Sequence, residues 1–174
     1  MKKVVIVNGV IAGLIVSALM VCSTLYFINK GDFDNGMIYG YASMLLAFSF
    51  VFVGIKTYRD KYNDGLISFG KAFIIGLLIT LIAATFYVVT WQIEGHFVFP
   101  DFADRYSAAM LEKARASGAS AAEIAKQAAE MKEFAEMYKN PLVNILFTYF
   151  EIVPVGLVVS LVCALLLKRN KPTV

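Results

Sequence analysis

Glu151 is the residue with the most chemistry available to it. It stands in Phe150-Glu151-Ile152-Val153-Pro154, nine positions into an apolar run that begins at Leu142. At 1.5 Å per helical residue it lies roughly 13–14 Å along that run. A charged acid at such a depth in a bilayer costs about 2.5–3.5 kcal/mol or more. The carboxyl group must therefore face a bundle interior or carry a proton. Pro154, three residues on, removes a backbone donor and frees the carbonyl of Phe150 beside it. Ser23, Ser43, Ser49, Thr80, Thr85 and Tyr87 are hydroxyl partners at comparable depth, and no basic residue shares that depth. Two roles stay open: a protonation or cation site, or a protonated, hydrogen-bonded acid that locks helix packing.

The remaining candidates carry less. His96 is the single histidine, with Glu94, Asp101 and Asp104 nearby. One imidazole with irregularly spaced carboxylates reads as an interfacial histidine and not as a metal site. Asp32-Phe33-Asp34-Asn35-Gly36 resembles the start of a calcium loop, but its glycine is one position early and Ser43 stands where the bidentate glutamate belongs. Cys22 and Cys163 sit in separate apolar runs with no metal-ligand spacing, as small packing residues do. No phosphate-cradling loop, nucleophile elbow or zinc helix motif is present. The expectation is a non-enzyme with no cofactor and no metal. Small residues form a further pattern: Gly9, Gly13 and Ser17 share one helical face, and Gly36 and Gly40, with Ser43, another. Such spacing lets helices approach closely in lipid, within one chain or between two copies.

The elements that must position these residues are set by composition. Of 174 residues, 59% are apolar and only 17% charged, with a mean hydropathy of +0.69. Soluble domains carry about a quarter charged residues, so a polytopic membrane protein is expected. A net charge of +3 is too mild to suggest nucleic acid. A bilayer core about 30 Å thick needs ~20 apolar residues. Runs 4–28, 37–55, 72–93 and 142–167 qualify, and each must satisfy its own backbone as a helix. The first is too long for a signal-peptide core and lacks a small-residue cleavage site, so it reads as a retained helix. Nine basic residues (Lys2, Lys3, Lys56, Arg59, Lys61, Lys71, Lys168, Arg169 and Lys171) fall on one side if four helices alternate. By the positive-inside rule both termini are cytoplasmic, in the inner membrane of the cell.

Segment 94–141 then lies outside, with six basic and eight acidic residues. Phe102, Tyr106 and Met110 recur at helical spacing. Ser117-Gly118 breaks the run. Ser120 and Glu123 form a capping-box pattern, and Ile124, Ala128, Met131, Ala135 and Tyr138 continue a stripe until Asn140-Pro141. These features predict a helix–turn–helix excursion. Its apolar stripe pairs internally, lies on the membrane surface, or docks another envelope protein through 101–139.

Three segments together carry a family resemblance. They are the loop running into Gly65-Leu66-Ile67-Ser68-Phe69-Gly70-Lys71-Ala72-Phe73, the long outer helical segment, and Phe150-Glu151-Ile152-Val153-Pro154-Val155-Gly156 followed by a basic tail. The chain resembles, over nearly its whole length, the bacterial membrane family called domain of unknown function 4199. That resemblance implies a four-helix inner-membrane protein and carries over no catalytic or ligand-binding residue. The expected fold is all-α: a single membrane domain of four transmembrane helices, with an extracytoplasmic helical segment between the third and fourth. The expected role is association, as a homo-oligomer or with an envelope partner. The alternative is a small proton- or cation-coupled transport protein centred on Glu151.

Overall fold

The computed structural model describes residues 1–30 and 35–169. The chain runs α1 (Lys2–Lys30), α2 (Gly36–Tyr62), α3 (Phe69–Ile93), a π-helical stretch (Glu94–Val98), α4 (Phe102–Ala116), α5 (Ala121–Tyr138) and α6 (Pro141–Leu167). Four helical spans, Lys2–Phe27, Gly36–Tyr62, Phe69–Val98 and Pro141–Leu167, are long and apolar enough to cross a membrane. Their outer faces require one: Phe150 is 79% and Leu166 71% exposed. Side chains this apolar have no aqueous solution available to them over so many turns. The protein is an all-α polytopic membrane protein with a helical excursion before its last span.

The helices reach past the ends of most of the apolar runs, furthest at the end of the second. The second helix does not end at Ile55 but continues to Tyr62. Tyr58 remains buried and the Arg59 guanidinium donates to the Leu167 carbonyl at 3.3 Å, so the last two turns still have a partner surface. Helix α3 ends at Ile93, as read from the sequence, and the chain passes directly into the π stretch. The α2–α3 connection is a tight bend. Asn63 donates its side-chain amide to the Leu66 carbonyl, and Asp64 and Gly65 take φ of 50° and 75°. Asp and Gly are residue types that tolerate this left-handed backbone. Ile67 then pairs with Arg169 in an isolated antiparallel bridge. Its two hydrogen bonds, 2.9 and 2.8 Å, fasten the bend to the end of α6.

Helix α3 is the centre of the bundle, packed against α1, α2 and α6. Fully buried Ile75, Ile79, Ala83 and Ala84 of α3 meet Val51 and Ile55 of α2 and Ile152 of α6 in one core. A Cβ at Gly9 would come within 2.8 Å of Ile82, and one at Gly13 within 2.7 Å of Phe86, so this face of α1 lies directly on α3. Gly156 of α6 lies equally close to Thr80 and Phe48. Buried beside it, the Thr80 hydroxyl contacts Ser160 Oγ at 3.2 Å and donates to the Gly156 carbonyl at 3.3 Å. Polar rungs also join helices nearer the other end. Thr90 donates to Ser17 at 2.9 Å, and Gln92 to Asn144 at 2.6 Å.

The excursion is a two-helix hairpin. Gly118 has φ 83° and ends α4. Ser120 caps α5: it accepts from the Glu123 amide, and the Glu123 carboxylate accepts from the Ser120 backbone N–H. Neither α4 nor α5 contains a buried residue. The hairpin is moored by aromatic contacts instead. Trp91 meets Phe102 edge-on at 5.0 Å, Trp91 Nε1 donates to the Tyr138 hydroxyl at 2.8 Å, and Phe134 meets Phe147 at 5.7 Å.

Candidate functional site

A cavity of 620 Å³ opens between α1, α2, α3 and α6, with α4 and the end of α5 along one side. That size falls in the range of small-molecule sites. Glu151 is on its wall and its Oε1 accepts a hydrogen bond from the Tyr87 hydroxyl at 3.4 Å. Among the described residues no basic side chain is paired with this carboxylate. Aromatic residues supply much of the rest of the wall, including Phe27, Tyr41, Trp91, Phe102 and Tyr138. Among the described residues, Lys113 of α4 is the basic residue on it.

Of the hydroxyls at Glu151's depth, the structure brings Tyr87 to it. The others are engaged elsewhere. Thr80 binds Ser160 and the Gly156 carbonyl, and Thr85 reaches Tyr149 and the Leu81 carbonyl. Ser23, Ser43 and Ser49 donate to carbonyls of their own helices, the usual refuge of a serine in an apolar helix. Pro154 lies within the continuous α6, exposed on the bundle's outside.

The small residues divide into two kinds. Gly9 and Gly13 are closely packed, and Ser17 is bound to Thr90. Gly36 and Gly40 are not packed: a Cβ at either would meet nothing within 4 Å. Among the described residues, no close helix approach is made at either glycine. Gly36, Gly40 and Ser43 instead line the cavity, where absent side chains leave room. The packing positions on the other helices, Gly76 with Thr80 and Gly156 with Ser160, escaped the sequence reading. Each pair has the same i, i+4 spacing already noted on α1.

Glu94 was grouped with His96 in the sequence but belongs elsewhere. It is 3% exposed, and neither carboxylate oxygen has a hydrogen-bond partner. Thr24, itself on the cavity wall, supplies the hydroxyl nearest to it in effect. Glu94 begins the π stretch, a backbone irregularity that often accompanies functional positions. Beyond the spans, burial pushes the Tyr138 phenol above its ordinary range, against the hydrogen bond from Trp91.

His96 is exposed and meets Phe97 edge-on at 4.6 Å, while Asp101 is paired with Arg105 at 2.6 Å. Among the described residues no three His, Cys, Asp or Glu side chains converge. Asp32, Phe33 and Asp34 of the calcium-like stretch lie outside the described residues. Cys22 is exposed and Cys163 buried, both as free thiols.

Fold and site together define a four-span integral membrane protein with an acid-bearing aromatic cavity beneath a helical hairpin. Residues 8–169 match the family described as protein of unknown function (DUF4199), and the chain belongs to it. No curated protein and no solved structure matches the chain.

Proposed function

We propose that this protein binds a small cation or proton-carrying ligand in the cavity, as a small transport or ion-coupling protein and not as an enzyme. The observation that carries the reading is Glu151: an intramembrane carboxylate on the wall of a ligand-sized space, held by Tyr87 and paired with no base among the described residues. Intramembrane acids facing cavities commonly mark ion and proton paths. The test is cation-dependent proton flux into pyranine-loaded proteoliposomes. Glu151→Gln is expected to lower it at least tenfold with an unchanged melting temperature. A variant that only melts earlier makes the carboxyl group structural and defeats the reading.

A second reading is association with another copy or an envelope protein. It is favoured by α4 and α5, which bury no residue and leave Phe134 and Met137 46% and 47% exposed. A strictly monomeric protein that co-purifies with nothing in mild detergent counts against it. For placement, the basic ends favour the inner membrane with both termini cytoplasmic. On that basis, a thiol introduced at Ala119 in a cysteine-free background would react with an impermeant maleimide from outside whole cells. Labelling only after lysis would invert the topology.

A further inference from the structure

We propose that the cavity takes an organic cation: an ammonium-type head on a compact apolar or aromatic body. This rests on reading the cavity as a ligand site. The anion is Glu151, and among the described residues it has a tyrosine hydroxyl for a partner and no base. Around it the walls are aromatic. Tyr87 lies against the carboxylate, and Trp91, Phe102 and Tyr138 form a connected set above it. Ring faces attract a cation within about 6 Å, tryptophan most strongly, and more so away from water. An acid sharing a cavity wall with such rings is therefore matched to a weakly hydrated cation.

Size selects the kind of cation. A 620 Å³ space is far larger than an inorganic ion requires. No set of three metal-ligating side chains exists among the described residues to shrink it around one. The glycine face of α2 adds apolar volume where a ligand body can lie. The space has an inner and an outer end, with Lys113 lining the outer one. That lysine belongs to the extramembrane α4, whereas Glu151 is ten residues beyond the start of α6. A bound cation is oriented with its charge toward Glu151 and its body toward α4.

Trp91 is the only tryptophan in the chain and it stands on the cavity wall, so its fluorescence reports occupancy directly. The experiment titrates the full-length protein in detergent with three probes of one shape: benzyltrimethylammonium, its neutral isostere neopentylbenzene, and phenylmethanesulfonate. The expected result is saturable quenching or a spectral shift with the cation, at an affinity at least tenfold above either other probe. Glu151→Gln should lose at least tenfold for the cation and leave the neutral probe unchanged. The wild-type comparison among probes needs no variant, so a poorly folded Glu151→Gln does not rescue the proposal. Equal binding of cation and neutral isostere, or preference for the sulfonate, overturns the cation assignment while the cavity remains a ligand site. Failure of all three to move Trp91 overturns both this assignment and the ligand-site reading beneath it.

Discussion

At residue scale, Gly156 and Gly40 show one amino acid used in opposite ways. A Cβ at Gly156 would come within 2.8 Å of Phe48 and closer still to Thr80, in the middle of a packed core. Gly156→Ala should destabilise the bundle by about 1–3 kcal/mol, because overpacking forces neighbours out of their rotamers. A Cβ at Gly40 would meet open space. Gly40→Leu should leave the melting temperature unchanged or raised, since glycine costs a helix about 1 kcal/mol relative to good helix formers. The same variant should weaken binding of benzyltrimethylammonium by filling the space. Thermal unfolding in detergent, with the Trp91 titration, checks both. A Gly40→Leu protein that melts early would show that α2 is packed there after all. Glu151 and its polar depth were legible from sequence, because a lone charge in an apolar run stands out in one dimension. Its partner was not. Six hydroxyls lay at comparable depth, and only helix rotation selects Tyr87. The orphaned Glu94 was hidden for a related reason: its burial depends on helices that lie far from it in the chain.

At element scale, the four spans and the hairpin were legible because length, hydropathy and capping residues are local properties. The continuation of α2 to Tyr62 was not. Lys56, Arg59 and Lys61 look like the end of a span, but their long side chains leave the backbone free to remain helical. The hairpin yields a sharper prediction. The backbone and hydroxyl groups of Ser120 hold the Glu123 carboxyl below its ordinary range, and Glu123 is fully exposed. A depressed folded pKa gives stability that is present above the unfolded value of about 4.3 and is lost as pH falls through the folded value. Protection of α5 amides against hydrogen exchange should therefore decline in acid below about pH 4. Ser120→Ala should lower α5 stability by roughly 0.5–2 kcal/mol at neutral pH and flatten that acid response. An unchanged protection profile would mean that the aromatic mooring at Phe134 and Tyr138, not the cap, holds the helix.

At the scale of the whole molecule, the two ends of the bundle are built differently. One end gathers the basic residues of α2 and α3 with the end of α6, and the bundle there is packed to full burial at Ile55 and Ala72 of the spans and Ile67 of the connecting bend. The other end diverges around the cavity and is closed by a hairpin with no buried side chain of its own. Composition alone indicates a bundle. It does not distinguish these ends, because the cavity is made of residues that are absent: glycines and a serine where α2 would otherwise carry bulk.

The small bridge between Ile67 and Arg169 acquires a mechanical meaning from that asymmetry. It pins the bend before α3 to the tail of α6, the two helices that carry Tyr87 and Glu151. Any swing of α3 against α6 would then pivot at the bridge and open at the cavity. Directly paired antiparallel residues are spaced about right for a disulfide. In a background lacking Cys22 and Cys163, Ile67→Cys with Arg169→Cys should cross-link and leave probe exchange intact. Gln92→Cys with Asn144→Cys, which ties α3 to α6 near the cavity end, should slow probe entry and release at least tenfold. Equal effects from both locks would mean that the helices do not swing about that end.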